Sequence, residues 1–374
     1  MSNNDIVIGH ANPHTVKKFE LIEKYVEAWA HILLLNPYCT GLVFIDCMSN
    51  SGEYIGDDGE RVFGTPVRVA KYLRQVSGQY YDKQIDLYFS DLSVSKTEHL
   101  RSLMPSETRN FRFHITAEDG NKLAKRLGNS MEKGKHYLLV YDPFQATIDW
   151  STLFPYINNW CEIIINHMVS DSIRAVKMVK KDSTRNKYEQ TYLTELENLI
   201  PYGSNKSAYE KRIEDIIEDI IKALHRNTSR RYYIAAFPFF NEKNAIVYDL
   251  IHCTSNLKGF QLYKTCAWQT FGGKSSTKNT HGNENQVMID FAGNGSLKTV
   301  TDESCYYVKD IAEYLQDHFN GLTNVPFDRL WAALDEHPIF PSDGFKNDIK
   351  KELKQNYNAS VSRGKISFAY RGVV

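Results

Sequence analysis

The sequence predicts an α/β protein built on a doubly wound, mostly parallel sheet, and three observations carry that reading. Short apolar runs alternate with amphipathic helical stretches along the first half of the chain. The runs are close to continuously apolar, as strands covered on both faces must be. Four successive runs stop at an acid, Asp46, Asp91, Asp119 and Asp142, where each strand would leave the sheet.

The elements follow in order. From Thr15 to Leu35, Phe19, Ile22, Val26, Trp29 and Leu33 recur at spacings of three and four, which predicts a helix with a wide buried face; Asn36-Pro37 ends it. Leu42–Ile45 reads as a strand. After a loop, Thr65 is a good N-cap and Pro66 a good first helical residue. IDLYFSDL (85–92), FRFHITAEDG (111–120), HYLLVYDPF (136–144) and CEIIINHMV (161–169) read as further strands with helices between them. The stretch from Lys180 to Arg230 is charged and helical. RYYIAAFPFF (231–240), IVYDLIHCTS (246–255) and FQLYKTCAW (260–268) read as strands returning to the sheet.

The Gly-, Ser-, Asn- and Thr-rich residues 271–300 predict a mobile loop. Beyond Tyr306, two helices (VPFDRLWAAL and GFKNDIKKELKQNY) and a terminal strand (GKISFAYRGVV) suit a small winged-helix-like domain. The expected organisation is an α/β core over 1–180, a helical insertion over 181–230 and returning strands over 231–270. A flexible loop over 271–300 and a C-terminal domain over 301–374 complete it.

Composition narrows the function. The 374 residues carry 45 Lys+Arg and 45 Asp+Glu, so no global cationic field draws the chain to nucleic acid, and any such contact needs a local patch. Six cysteines without CxxC spacing argue for buried thiols rather than disulfides or zinc. No apolar run is long enough to span a bilayer, and the N-terminus lacks a signal-peptide pattern; a cytoplasmic protein is expected.

Ligands of open α/β sheets bind outside the carboxyl ends of the strands, where the four acids fall. Carboxylates accept hydrogen bonds from ribose hydroxyls, from the adenine amino group and from an ammonium. S-adenosylmethionine (SAM) offers all three. A nicotinamide dinucleotide fits less well, because no GxGxxG follows the first strand.

His14-Thr15, Tyr25, Trp29, Phe44-Ile45-Asp46, Gly52, Tyr54 and Gly64-Thr65-Pro66 occur in the order seen in the three-Cys-motif partner (TcmP) family. Asp142-Pro143-Phe144, Trp150 and IIINHMVSDSIR (163–174) continue the likeness. The chain resembles that family over most of its length, more weakly past Trp268. The resemblance implies a SAM-dependent methyltransferase-like core, similar to enzymes that methylate adenine in ribosomal RNA, and a three-Cys-motif radical-SAM protein as partner. In this reading Asp46, Asn50 and Gly52 cradle the methionine end, Asp91 binds the ribose and Asp119 the adenine. Asp142, Pro143 and Phe144 form the catalytic turn of an amino methyltransferase, whose acid accepts from the target NH2 while the aromatic ring stacks on the base.

Two departures stand out. Asn50 replaces the first glycine of the family's loop; Asn tolerates the left-handed region, so the turn survives while clearance for a ligand shrinks. Phe144 sits one position early. His167 reads as a base or substrate contact or, more simply, as a locally satisfied histidine. Asp171 and Arg174 suit an ion pair. Arg226, Arg230, Arg231 and Lys177–Lys181 suit a phosphate-binding rim or solvated helix faces. A catalytically degenerate adaptor that binds nucleic acid or the partner is the competing function.

Overall fold

The computed structural model describes residues 7–143, 145–170, 181–195, 212–213, 215–217, 232–279 and 305–371. After a short strand, β1 (Gly9–His10), the chain enters α1 (Pro13–Leu34), whose buried stripe runs through Lys18, Ile22, Tyr25 and Trp29. There follow β2 (Gly41–Asp46), β3 (Glu53–Ile55), β4 (Arg61–Phe63), α2 (Thr65–Ser77), β5 (Gln84–Ser90) and α3 (Val94–Leu103). Next come β6 (Phe111–Thr116), α4 (Gly120–Gly128), β7 (Lys135–Tyr141), α5 (Trp150–Leu153) and β8 (Cys161–His167). The larger part ends with α6 (Asp182–Tyr192), β9 (Tyr233–Phe240), β10 (Ile246–Thr254) and α7 (Leu257–Thr270).

Seven strands form one sheet in the order β6-β5-β2-β7-β8-β10-β9. The first five are parallel, and β10 runs antiparallel to both β8 and β9. This is the expected mixed α/β architecture with a large, mostly parallel central sheet. Alternation along β2 shows why its sequence is apolar throughout: Leu42 and Phe44 join the core under α1, α2 and α7, while Val43 and Ile45 join the core under α4 and α5. All six cysteines are buried free thiols. No described helix is long and apolar enough to cross a membrane.

Three expectations need correction. FQLYKTCAW is the middle of α7, not a returning strand. Phe260, Tyr263 and Ala267 lie on one buried face at spacings of three and four, and the Asn256 side chain caps the helix by accepting from the Lys258 N–H. Such a short, mostly apolar run fits either element by its pattern alone. The loop expected over 271–300 is anchored where it is described: Phe271, Ser275 and Ser276 are buried, and the Ser275 N–H donates to the Tyr306 carbonyl at 2.9 Å; residues 280–300 lie outside the described set. Gly64, not Thr65, takes the N-cap position of α2. Of the expected insertion, α6 and the buried Ile213, Ile216 and Ile217 are described, and they pack in the second core.

The C-terminal part carries three helices where the sequence showed two: α8 (Val308–His318), α9 (Phe327–Asp335) and α10 (Lys346–Asn356). Strands β11 (Val325–Pro326), β12 (Ser360–Ser362) and β13 (Lys365–Ser367) form a small antiparallel sheet in the order β11-β13-β12. Two residues of α7 fasten this part to the core. The Lys264 ammonium, fully buried, donates to the carbonyls of Leu334 (2.9 Å), Asp335 (3.1 Å) and His337 (2.6 Å) at the end of α9. Its three donors thereby satisfy carbonyls that the helix leaves open. Burial lowers the Lys264 pKa to about 7, with Asp335 opposing the shift. The Trp268 indole N–H donates to the Ile339 carbonyl at 3.0 Å.

Lys264→Met keeps most of the stem and removes all three bonds at a buried helix end. The expected loss is about 2–4 kcal/mol in urea denaturation. Faster amide exchange in α9, with α4 unchanged, would locate the damage at this junction.

Candidate functional site at the carboxyl ends of β2, β5 and β7

The loop after β2 is stitched to the end of β5. The Ser49 N–H donates to the Ser90 carbonyl at 2.9 Å, and the Ser90 hydroxyl donates back to the Cys47 carbonyl at 2.8 Å. Asn50 is left-handed, with φ +54°, and its side-chain oxygen accepts from the Ser51 N–H at 2.9 Å. The turn therefore survives the loss of a glycine at this position. Gly52, at φ +74°, is needed for a different reason than ligand clearance: a Cβ there would stand 2.4 Å from a Leu100 methyl and 2.8 Å from a Val67 methyl. The missed glycine is Gly120, where a Cβ would meet the Cys47 carbonyl oxygen at 2.0 Å, so α4 starts hard against this loop.

The sheet order places the four acids on adjacent strands. Asp46 pairs in register with Phe89 and Val140, and Asp91 and Asp142 each lie two residues beyond those partners. Asp46 is buried, and one of its oxygens accepts from the Met48 N–H at 3.3 Å. Its pKa is pushed up to about 7, first by burial and then by Asp142, with Asp91 adding and Lys18 opposing. Asp91 is buried; one oxygen accepts from the Ser93 N–H at 2.8 Å, and the other is buried with no partner among the described residues. Asp119 stands apart. It is half-buried and caps α4, accepting from the Lys122 N–H at 3.0 Å.

Asp142 sits where Lys18 and Asn166 reach it. The Lys18 ammonium donates to one oxygen and the Asn166 amide to the other, each at 2.5 Å. Lys18 also lies 5.4 Å from the centre of the Tyr248 ring and 5.9 Å from that of Phe19. The Tyr54 hydroxyl is buried near the same carboxylates: burial, Asp142, Asp46 and Asp91 all raise its pKa, while a hydrogen bond with Asn50 opposes them. Pro143 is buried beside Asp142; Phe144 lies outside the described residues, as do Asp171, Arg174, Lys177–Lys180, Arg226, Arg230 and Arg231.

Sequence reasoning missed Lys18, Asn166, Tyr248 and the exposed pair Leu92 and Val94. Signals for two of them were available. Lys18 is a lysine on the buried stripe of an amphipathic helix, in phase with Ile22, Tyr25 and Trp29. Leu92, 74% exposed, is a large apolar residue directly after a strand-end acid. His167 is buried and bonded to the Tyr192 hydroxyl at 2.6 Å, and burial lowers its pKa to about 4, which suits the locally bonded histidine. Asn166, its neighbour on the alternating strand, is the residue that turns towards Asp142. A cleft of about 440 Å³ between α1 and α2 is lined by none of these groups.

No family model and no curated protein matches the chain. Solved structures with some likeness include protein LPL1258 from Legionella pneumophila str. Philadelphia 1, of the family DUF519. It is 12% identical, with a TM-score of 0.40 and coverage of 66% of this chain and 86% of that one. Human methyltransferase-like protein 13 in complex with SAH is 11% identical, with a TM-score of 0.30 over 67% and 91%. Loganic acid methyltransferase with SAH is 10% identical, with a TM-score of 0.28 over 71% and 88%. Scores this low place none of the residues above.

The raised Asp46 pKa fixes the sign of a pH effect. The unfolded chain releases this proton near pH 3.9, whereas the folded chain holds it to about 7. The stabilisation is therefore full below pH 4 and is lost as pH rises towards 7, by at most about 4 kcal/mol. In pH-dependent urea denaturation, Asp46→Asn should flatten that decline and exceed the parent in stability at pH 8.

Proposed function

We propose that this chain is a SAM-dependent methyltransferase acting on an amino group of a nucleic-acid base. The observation that carries the reading is the buried, unpartnered oxygen of Asp91. Leaving such an oxygen unsatisfied is costly, and a ribose hydroxyl is the kind of donor that relieves it. The surroundings suit the rest of the cofactor. Asp46 is placed to take an ammonium, Leu92 and Val94 offer an apolar face to adenine, and Asp119 stands at the outer end for its amino group. The strand order reverses between β2 and β7, and Asp46 and Asp142 flank that switch point. The C-terminal helix–strand–helix–helix–hairpin unit is read as a winged-helix module. A three-Cys-motif radical-SAM protein remains the partner that the family resemblance proposes.

When bound, the cofactor supplies an electrophilic methyl group. Asp142 accepts a hydrogen bond from the target amine, directs its lone pair and stabilises the positive charge that nitrogen gains; the nitrogen then gives up one proton to the carboxylate or to water. Lys18 already occupies one Asp142 oxygen, so the amine must displace it or share that oxygen. Lys18 and Asn166 fix the carboxylate's orientation in the meantime, and Lys18 supplies the counter-charge to three neighbouring acids. One observation favours a second reading, a scaffold without turnover: both Asp142 oxygens have partners inside the protein.

Calorimetric titration with SAM separates these readings. The expected result is saturable binding, weakened at least about tenfold by Asp91→Ala, or about 1.4 kcal/mol. Affinity should climb as pH rises through about 7, because Asp46 must lose its proton before it can pair with an ammonium. Lys18→Met and Asp142→Asn should retain SAM binding while methyl transfer to nucleic acid falls at least about a hundredfold. Absence of binding at millimolar SAM would sink the enzymatic reading, and binding without transfer would leave the scaffold.

A further inference from the structure

The C-terminal module divides its charge sharply. Residues 305–345 hold seven acidic and two basic side chains, whereas residues 346–371 hold seven basic and two acidic ones. A chain with no net charge has gathered a cationic region into α10 and the hairpin that follows it. Solvated helices usually mix their charges along the surface; here the segregation coincides with a structural boundary.

The helix itself has a sided composition. Ile349 and Leu353 face the small core, which they share with Ile366 of β13. The opposite face presents Asn347, Lys351, Lys354 and Gln355, all exposed. The two acids, Asp348 and Glu352, stand together on one flank, and Glu352 is taken by the Asn356 amide at 2.5 Å. Lys346 and Lys350 are engaged locally: the first with Asp343 at 3.2 Å and over the Trp331 ring, the second over the Phe327 ring. Lys351 and Lys354 have no ion-pair partner among the described residues.

The hairpin adds a second cationic point on the same small core. Ser362 pairs with Lys365, which leaves Arg363-Gly364 as a two-residue turn, with Gly364 at φ +77°. Arg363 and Lys365 are both exposed at this tip.

We propose that this surface binds duplex DNA, with α10 entering the major groove and the Arg363–Lys365 tip gripping the adjacent phosphate backbone. The geometry suits B-form DNA. An eleven-residue helix is about 16 Å long and 10–12 Å across, and the B-form major groove is about 12 Å wide. The A-form major groove of RNA is too narrow for it. Asn347 and Gln355 can pair with a base edge, and Lys351 and Lys354 with guanine or phosphate. The acidic half, through α8 and α9, would repel the duplex and so fix which side of the module approaches. The inference deepens the methylation reading by naming the polymer, and rests on that reading only for its purpose; binding itself needs no cofactor.

Fluorescence anisotropy of the full chain with short labelled duplex DNA tests this at several salt concentrations. Saturable binding is expected, with the logarithm of affinity falling linearly against that of salt. Lys351→Glu with Lys354→Glu should weaken binding at least about tenfold, and Arg363→Glu with Lys365→Glu likewise, each lowering the salt slope by about 0.9 per lost phosphate contact. Lys133→Glu, an exposed lysine before β7, should change nothing. All of these positions are exposed, so circular dichroism should report an intact fold. No binding at low salt, binding that survives both double reversals, or tighter binding to duplex RNA than to DNA would overturn the proposal. A failure of SAM titration would leave this result untouched.

Discussion

The site depends on one ion pair, Lys18 with Asp142. The doubly wound sheet brings Asp46, Asp91 and Asp142 to the ends of adjacent strands, and the Asp46 pKa is raised first by burial and then by the neighbouring Asp142 charge. Three carboxylates in a partly dry crevice need a cation, and among the described residues Lys18 of α1, 124 residues before Asp142, supplies one. That requirement explains why a helix preceding the sheet lies where it does. Its buried stripe holds it on the core with Ile22, Tyr25 and Trp29, and the same stripe, continued one turn towards the N-terminus, delivers the lysine.

The covering of the crevice follows from the same anchoring. Once α1 is fixed, the residues before it are carried over the strand ends, where Gly9 and His10 pair in parallel with Tyr54 and Ile55 of the β3–β4 hairpin. Phe19 packs on Tyr54 with ring centres 5.1 Å apart, and the Tyr248 hydroxyl donates to the His14 carbonyl at 2.9 Å. Aromatic rings from distant stretches of chain thus gather near Asp142, whose side chain stays partly open to solvent.

The centre of the sheet was legible because β2, β7 and β8 are buried almost throughout, which writes them as continuous apolar runs, and an acid closes β2 and follows β5 and β7. What escaped was everything set by tertiary contact. A two-residue strand such as β1 has no periodicity to detect, and α7 was mistaken for a strand because an apolar run of nine residues suits either element. Lys18 was invisible as a site residue because charge on a helix normally signals solvent, and only its phase with Ile22 and Tyr25 says otherwise. At Gly52 the structure adds a packing reason for a glycine beside the cradle role that the family resemblance implies, because an added Cβ would meet Leu100 and Val67. A glycine reports that something is close, and the sequence does not say whether that something is ligand or protein.

The two halves of the molecule solve their electrostatics in contrasting ways. The core concentrates acid in a crevice, and among the described residues Lys18 offsets it. The C-terminal module instead gathers most of its acids before α10 and most of its cations on α10 and the hairpin that follows. Lys264 sits at the junction, a fully buried ammonium whose three hydrogen bonds all go to backbone carbonyls at one helix end. Because that anchor is directional, with three bonds converging on one turn, it constrains the module's orientation as well as its attachment. Together with the Trp268 bond to the Ile339 carbonyl, it ties the module that carries the cationic face to the helix packed on the sheet.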